Sequence, residues 1–149
     1  MKNRIIIGFI IICTVLSITS CVSKQDKDNA DTIKAFLYRV KKQDLNSRQI
    51  IDTFMMKNPS SAYIKLQELY IPFLKQELKE TDIESLKIAP YSNASKKYQT
   101  ILNEDKKNIY IILYKNSVFH YILMDGKRIK SFSTMNFGSD NTAKKVFTF

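Results

Sequence analysis

Apolar residues recur at three different spacings along the chain, and each spacing predicts a different kind of element. Between Ile5 and Leu16 they are almost continuous, interrupted only by Gly8 and Thr14, and a polar stretch without aromatic residues runs from Val22 to Asp31. A helical period then begins. Ile33, Phe36, Leu37 and Val40 share one face, which predicts a helix over about 32–43 with Asp31 as its N-cap. Ile50, Ile51, Phe54 and Met55 form the stripe of a second helix, capped by Asn46 or Ser47 and ended by Asn58-Pro59. Asn58 and Pro59 also open a third, in which Ala62, Leu66, Leu69, Tyr70 and Phe73 keep one face running across Pro72. One kinked helix to about Lys79 is predicted, with a break at Pro72 as the alternative. Thr81-Asp82-Ile83-Glu84 fits a capping box and predicts a further short helical turn.

After Pro90 the period falls to that of strands. Tyr98–Asn103 reads as one strand, and Asn108–Lys115, Val118–Met124 and Lys127–Met135 as a meander turning at Asn116-Ser117 and Asp125-Gly126. Phe137–Lys145 reads as a loop, with Val146–Phe149 as a last edge strand. Two-residue turns fix the register and pair Leu113 with His120, Ile111 with Ile122, and Ile122 with Ile129. Two unlike faces follow. One collects aliphatic residues around His120 and Ser131 and is the natural floor for the helices. The other carries Tyr110, Tyr114, Phe119 and Tyr121, rimmed by Arg128 and Lys130. If open to water, that face is too large an apolar patch to be idle, and these six residues are the candidate binding site. The alternative is that the helices cover it or that the sheet curls around it. The fold class predicted is α+β, three N-terminal helices packed on a C-terminal antiparallel meander, which resembles the cystatin-like or NTF2-like plan.

The continuous run at the start follows Lys2 and Arg4, the order of a secretory signal. Twelve helical residues span about 18 Å, short of the roughly 30 Å of bilayer hydrocarbon. Ile18-Thr19-Ser20-Cys21 then resembles the lipobox of bacterial lipoproteins. That resemblance implies cleavage before Cys21, a diacylglyceryl group on its thiol, and acylation of the new amino group. An uncleaved anchor is the alternative, since no charge falls between Ile5 and Ser23. The division expected is a signal peptide over 1–20, a flexible tether over 21–31 and one α+β domain over 32–149. The resemblance places the domain on the membrane of the cell envelope through a lipidated Cys21. Val22 and Ser23 are not acidic, which points to the outer rather than the inner membrane.

Charge narrows the partners. From Cys21 onward there are 22 basic and 14 acidic residues, a formal +8, and residues 91–149 carry +6 of it with 10 basic against 4 acidic. Export makes nucleic acid an unsuitable partner, and an anionic lipid or glycan or an envelope protein suits the compartment. Solvated lysines are the plainer account. One thiol remains after cleavage, so no intramolecular disulfide can form and the core must supply stability.

The chemistry of common active sites is sparse. His120 is the sole histidine and reads as a core residue bonded to serine or backbone; one histidine and one lipidated cysteine do not make a zinc site. Glu77, Glu80, Asp82 and Glu84 read as an exposed charged helix end. The reading is a non-enzymatic, membrane-anchored binding domain without cofactor. An inhibitor or immunity-type protein is the alternative, and a small hydrolase around His120 comes last.

Overall fold

Ser23 opens the first helix by a reciprocal arrangement: its Oγ accepts from the Asp26 amide at 3.1 Å and donates to Asp26 Oδ2 at 2.6 Å. The first bond satisfies an amide that a helix start leaves without an intrahelical partner, and the second ties the two side chains together. The computed structural model describes residues 23–42, 44–101, 103–137 and 144–148. Within them α1 (Lys24–Lys42), α2 (Ser47–Phe54) and α3 (Ser61–Leu78) precede strands β1 (Lys87–Pro90), β2 (Ile109–Tyr114), β3 (Ser117–Asp125), β4 (Arg128–Ser131), β5 (Thr134–Phe137) and β6 (Lys144–Phe147). Three helices followed by antiparallel sheet make the fold α+β. The expected signal peptide and Cys21 lie outside the described residues.

The tether expected over 21–31 is corrected by α1, which starts at Lys24. Asn29 lies one turn before Ile33 on the buried stripe that continues through Phe36, Leu37 and Val40. Asn46 and Gln49 form the capping box of α2, and Ser60 caps α3, which passes through Pro72 without ending. Asp82 rather than Thr81 caps the short turn Ile83–Ser85, because the Thr81 hydroxyl donates to the Glu77 carbonyl instead.

β1 to β4 form one antiparallel sheet in sequence order, and β5 with β6 forms a separate two-stranded sheet. β1 was not anticipated, and it ends at an edge with Pro90, where a missing N–H is tolerated. Tyr98–Asn103 is not a strand: Lys96–Tyr98 is a 3-10 turn, and residue 101 makes only an isolated bridge with Lys145. β5 and β6 likewise leave the meander.

The register differs from the expected one at both turns. The first turn is Lys115-Asn116, with φ of 49° and 61°, the left-handed pair that a type I′ hairpin requires. Pairing therefore runs Tyr110 with Ile122, Ile111 with Tyr121 and Ile112 with His120, before an extra residue, Phe119, shifts it to Leu113 with Val118. At the second turn Asp125 pairs with Arg128 around Gly126-Lys127, and Lys130 is the extra residue between the Met124–Ile129 and Leu123–Ser131 pairs. The moved turn keeps the parity of the pairing, and it is the extra residue Phe119 that exchanges the faces of β2 and β3 relative to one another beyond it. The aliphatic and aromatic faces expected from alternation do not exist. Tyr110, Ile112, Ile122, Met124 and Ile129 pack with the helices, while Ile109, Ile111, Tyr121 and Leu123 pack beneath Tyr91, Ile101 and Phe147. Both faces are covered.

Candidate functional site

The six residues expected to form a binding face are separated by this register. Tyr110 is buried on the helix side, where its hydroxyl donates to Asp26 at 2.7 Å and accepts from Asn29 at 3.1 Å. Burial, first, and the Asp26 carboxylate push its pKa up to about 12. Tyr121 is buried on the opposite side, donating to the Tyr98 carbonyl at 2.7 Å with Thr100 at 3.1 Å. Tyr114 and Phe119 meet edge-on at 6.5 Å and pack against the helix-side core. Arg128 donates to the Met55 carbonyl at 2.7 Å and so holds the end of α2, and Lys130 lies 3.7 Å from Glu104. With Tyr110 and Tyr121 buried on opposite sides of the sheet, the six do not form one continuous face.

A different set of residues comes together between α3 and the sheet. Tyr70, Phe73, Leu74 and Glu77 recur at helical spacing and form one wall of a cleft of about 420 Å³; His120 of β3, Phe132, Ser133 and Thr134 form the other. That volume is in the range of small-ligand or side-chain pockets. Phe132 is a fixed wall, since it is buried and packs on Phe36 at 5.4 Å between ring centres. Phe73 is the opposite case, with 68% of its surface exposed at the cleft, and Leu69 one turn earlier is 64% exposed. Large apolar side chains left so open on a helix that also buries Ile71, Leu74 and Leu78 are not needed by the core.

Across the cleft His120 Nε2 lies 2.6 Å from Glu77 Oε2. The hydrogen bond from His120, then the charge of its protonated form, hold the Glu77 carboxyl below the usual carboxylate range, while partial burial acts the other way. The imidazole also stands edge-on to Phe119 at 4.8 Å. The expectation of a core histidine bonded to serine is corrected: the side chain is partly exposed and its partner is a carboxylate 43 residues away in sequence. The charged helix end expected around Glu77 also gives up one member to this pair.

A histidine oriented by a carboxylate can serve as a base, but it needs a nucleophile within reach. The hydroxyl of Ser133, which lines the cleft with it, and that of Ser131 are engaged elsewhere. Ser131 Oγ donates to the Thr148 carbonyl at 2.9 Å, and Ser133 Oγ lies 2.5 Å from Thr148 Oγ1. Among the described residues no group of three or more His, Cys, Asp or Glu side chains is placed to hold a metal ion. The arrangement suits recognition, with apolar walls and one ionisable pair at the rim. Among the described residues no helix is long and apolar enough to cross a membrane. No protein-family model, curated protein or solved structure matches the chain.

Proposed function

We propose that this chain is a non-enzymatic binding module of the cell envelope, carried on a lipid at Cys21, whose partner is a protein that inserts an apolar side chain into the cleft between α3 and β3. The observation that carries this reading is the pair Leu69 and Phe73, exposed beside a recess walled by Tyr70 and Phe132. Aromatic anchors around a pocket are the usual centres of binding energy at protein interfaces. The Glu77–His120 pair at the rim supplies polar specificity.

The test is capture from detergent-extracted envelope by the wild-type chain and by Leu69→Ser/Phe73→Ser. A protein retained stoichiometrically by the first and lost by the second, with unfolding free energies equal to within about 0.5 kcal/mol, is the expected result. Undiminished retention by the double variant overturns the site. The anchor has its own test in the mass of the N-terminal peptide from envelope material. A lipid-modified Cys21 as first residue is expected, and a free Cys21 thiol overturns it.

A further inference from the structure

The positive charge of the C-terminal half is concentrated on the layer that covers the other face of the sheet. Residues 91–108 and β6 turn Tyr91, Ile101 and Phe147 inward. Outward they present Lys96, Lys97, Lys106, Lys107 and Lys144, all exposed, and with Lys145 these segments hold six lysines against two acids, Glu104 and Asp105. Both acids are already engaged, Glu104 beside Lys130 and Asp105 beside Lys107 at 3.0 Å. Among the described residues no carboxylate lies within ion-pair distance of Lys96, Lys106 or Lys144.

This layer reaches the start of α1. Pro90 and Asn93 share a groove of about 650 Å³ with Ser23, Lys24 and Lys27. Cys21 precedes Ser23 by two residues, a reach of at most about 7 Å of extended chain. With α1 beginning at Lys24, little slack is left between a lipid on Cys21 and the folded chain. Attraction between lysines and anionic headgroups acts over about one Debye length, roughly 8 Å at physiological ionic strength. Asn93, three residues before Lys96, lies in that groove, so the layer begins beside the anchored end of the chain.

We propose that this lysine-rich layer is a membrane-contact face that rests on anionic phospholipid headgroups and turns the cleft between α3 and β3 away from the bilayer. The inference rests on the anchor reading above for its geometry. Its chemistry is that of point charges on flexible stems, suited to a phosphate-bearing surface rather than to a shaped ligand.

The experiment places the lipid-modified chain in phosphatidylcholine vesicles with or without phosphatidylglycerol, with a fluorophore on Ser95→Cys in the layer or on Ala62→Cys in α3, and a headgroup-bound quencher. Lipidation of Cys21 leaves the introduced thiol as the single labelling site. The label at 95 is expected to be quenched with phosphatidylglycerol present and released by high salt, while the label at 62 stays bright. Lys96→Glu, Lys106→Glu and Lys144→Glu should each reduce the quenched population by about fivefold. Equal quenching at both positions, or quenching at 95 indifferent to phosphatidylglycerol, overturns the proposal. So does a face that ignores vesicles but is needed to capture an acidic protein. If the peptide mass shows Cys21 unmodified, the anchor reading fails separately. The same vesicles and variants then report on the unanchored chain, in which Cys13→Ser and Cys21→Ser leave the introduced cysteine as the single labelling site: phosphatidylglycerol-dependent association lost with the lysines supports the face, and no association overturns it.

Discussion

On one side of the four-stranded sheet lie three capped helices, and on the other lie short 3-10 turns and a two-stranded hairpin. Strand β2 serves both: Tyr110 and Ile112 point to the helices, Ile109 and Ile111 to the thinner cover, and all four are at most 2% exposed. The helical side is sealed by long regular stripes. The other side depends on individually placed bonds, among them the residue 101 amide to Tyr91 Oη at 2.8 Å and the Phe147 amide to Asn103 Oδ1 at 3.2 Å. Equal burial therefore does not mean equal rigidity. Irregular cover can settle into a cavity, whereas packed helices relax less.

Neighbouring isoleucines give the sharpest way to break this comparison. Ile112→Ala should cost about 4 kcal/mol and Ile111→Ala about 2, measured as urea unfolding free energies at constant m-value. Equal losses would mean that the thin layer is as unyielding as the helices. Next in size is Tyr110→Phe, which removes the hydroxyl shared by Asp26 and the buried Asn29. Asn29 Oδ1 already has no partner among the described residues, so the variant should lose about 2 kcal/mol and show faster amide exchange in the first turns of α1.

Gln67 reverses the sign. It is fully buried in α3, and neither amide atom has a hydrogen-bond partner among the described residues. Gln67→Met keeps the volume and removes the unsatisfied groups, so thermal and urea midpoints should rise, by about 1 kcal/mol in stability. The smallest effect belongs to the cleft. The folded-state pKa of Glu77 lies below its ordinary value of 4.5, so its contribution is complete above that value and is lost as pH falls through the folded-state value. More than half of the Glu77 side chain is exposed, which limits the gain to under about 1 kcal/mol. The stability difference between wild type and Glu77→Gln should shrink as urea midpoints are followed downward from pH 6; a difference constant with pH would remove the pair from the balance.

The helices were legible because their signals are local. The Asn46 cap and the helical spacing that runs across Pro72 can be read within a few turns and place α2 and α3 closely, but the face expected to be buried in α3 is the wrong one: Ala62, Leu69 and Phe73 are exposed, and Tyr63, Gln67, Ile71, Leu74 and Leu78 are buried instead. The start of α1 was legible too, in Ser23-Lys24-Gln25-Asp26, but a polar composition argued for a tether and Asn29 did not look like a core residue. The sheet failed for a different reason. Ile109-Tyr110-Ile111-Ile112-Leu113-Tyr114 is apolar at every position, the pattern of a strand buried on both faces, so alternation carried no information about which face was open. The left-handed pair at Lys115-Asn116 then moved the turn by one residue, and the extra residue Phe119 beyond it put Tyr110 and Tyr121 on opposite faces. The Glu77–His120 pair has no local signal at all, because it depends on how α3 crosses β3.

The outer strands of the four-stranded sheet add a constraint on recognition. β4 has its backbone in use: the Ile129 carbonyl accepts from the Met56 amide at 3.0 Å, and the Lys130 carbonyl accepts from Tyr63. β1 is only four residues long and finishes at a proline. An extended peptide therefore finds no ladder to lengthen at β4 and a poor one at β1, so a partner has to be met by side chains rather than by main-chain zippering. Crowded copies of this chain are kept from joining sheet to sheet at β4 by the same occupied edge.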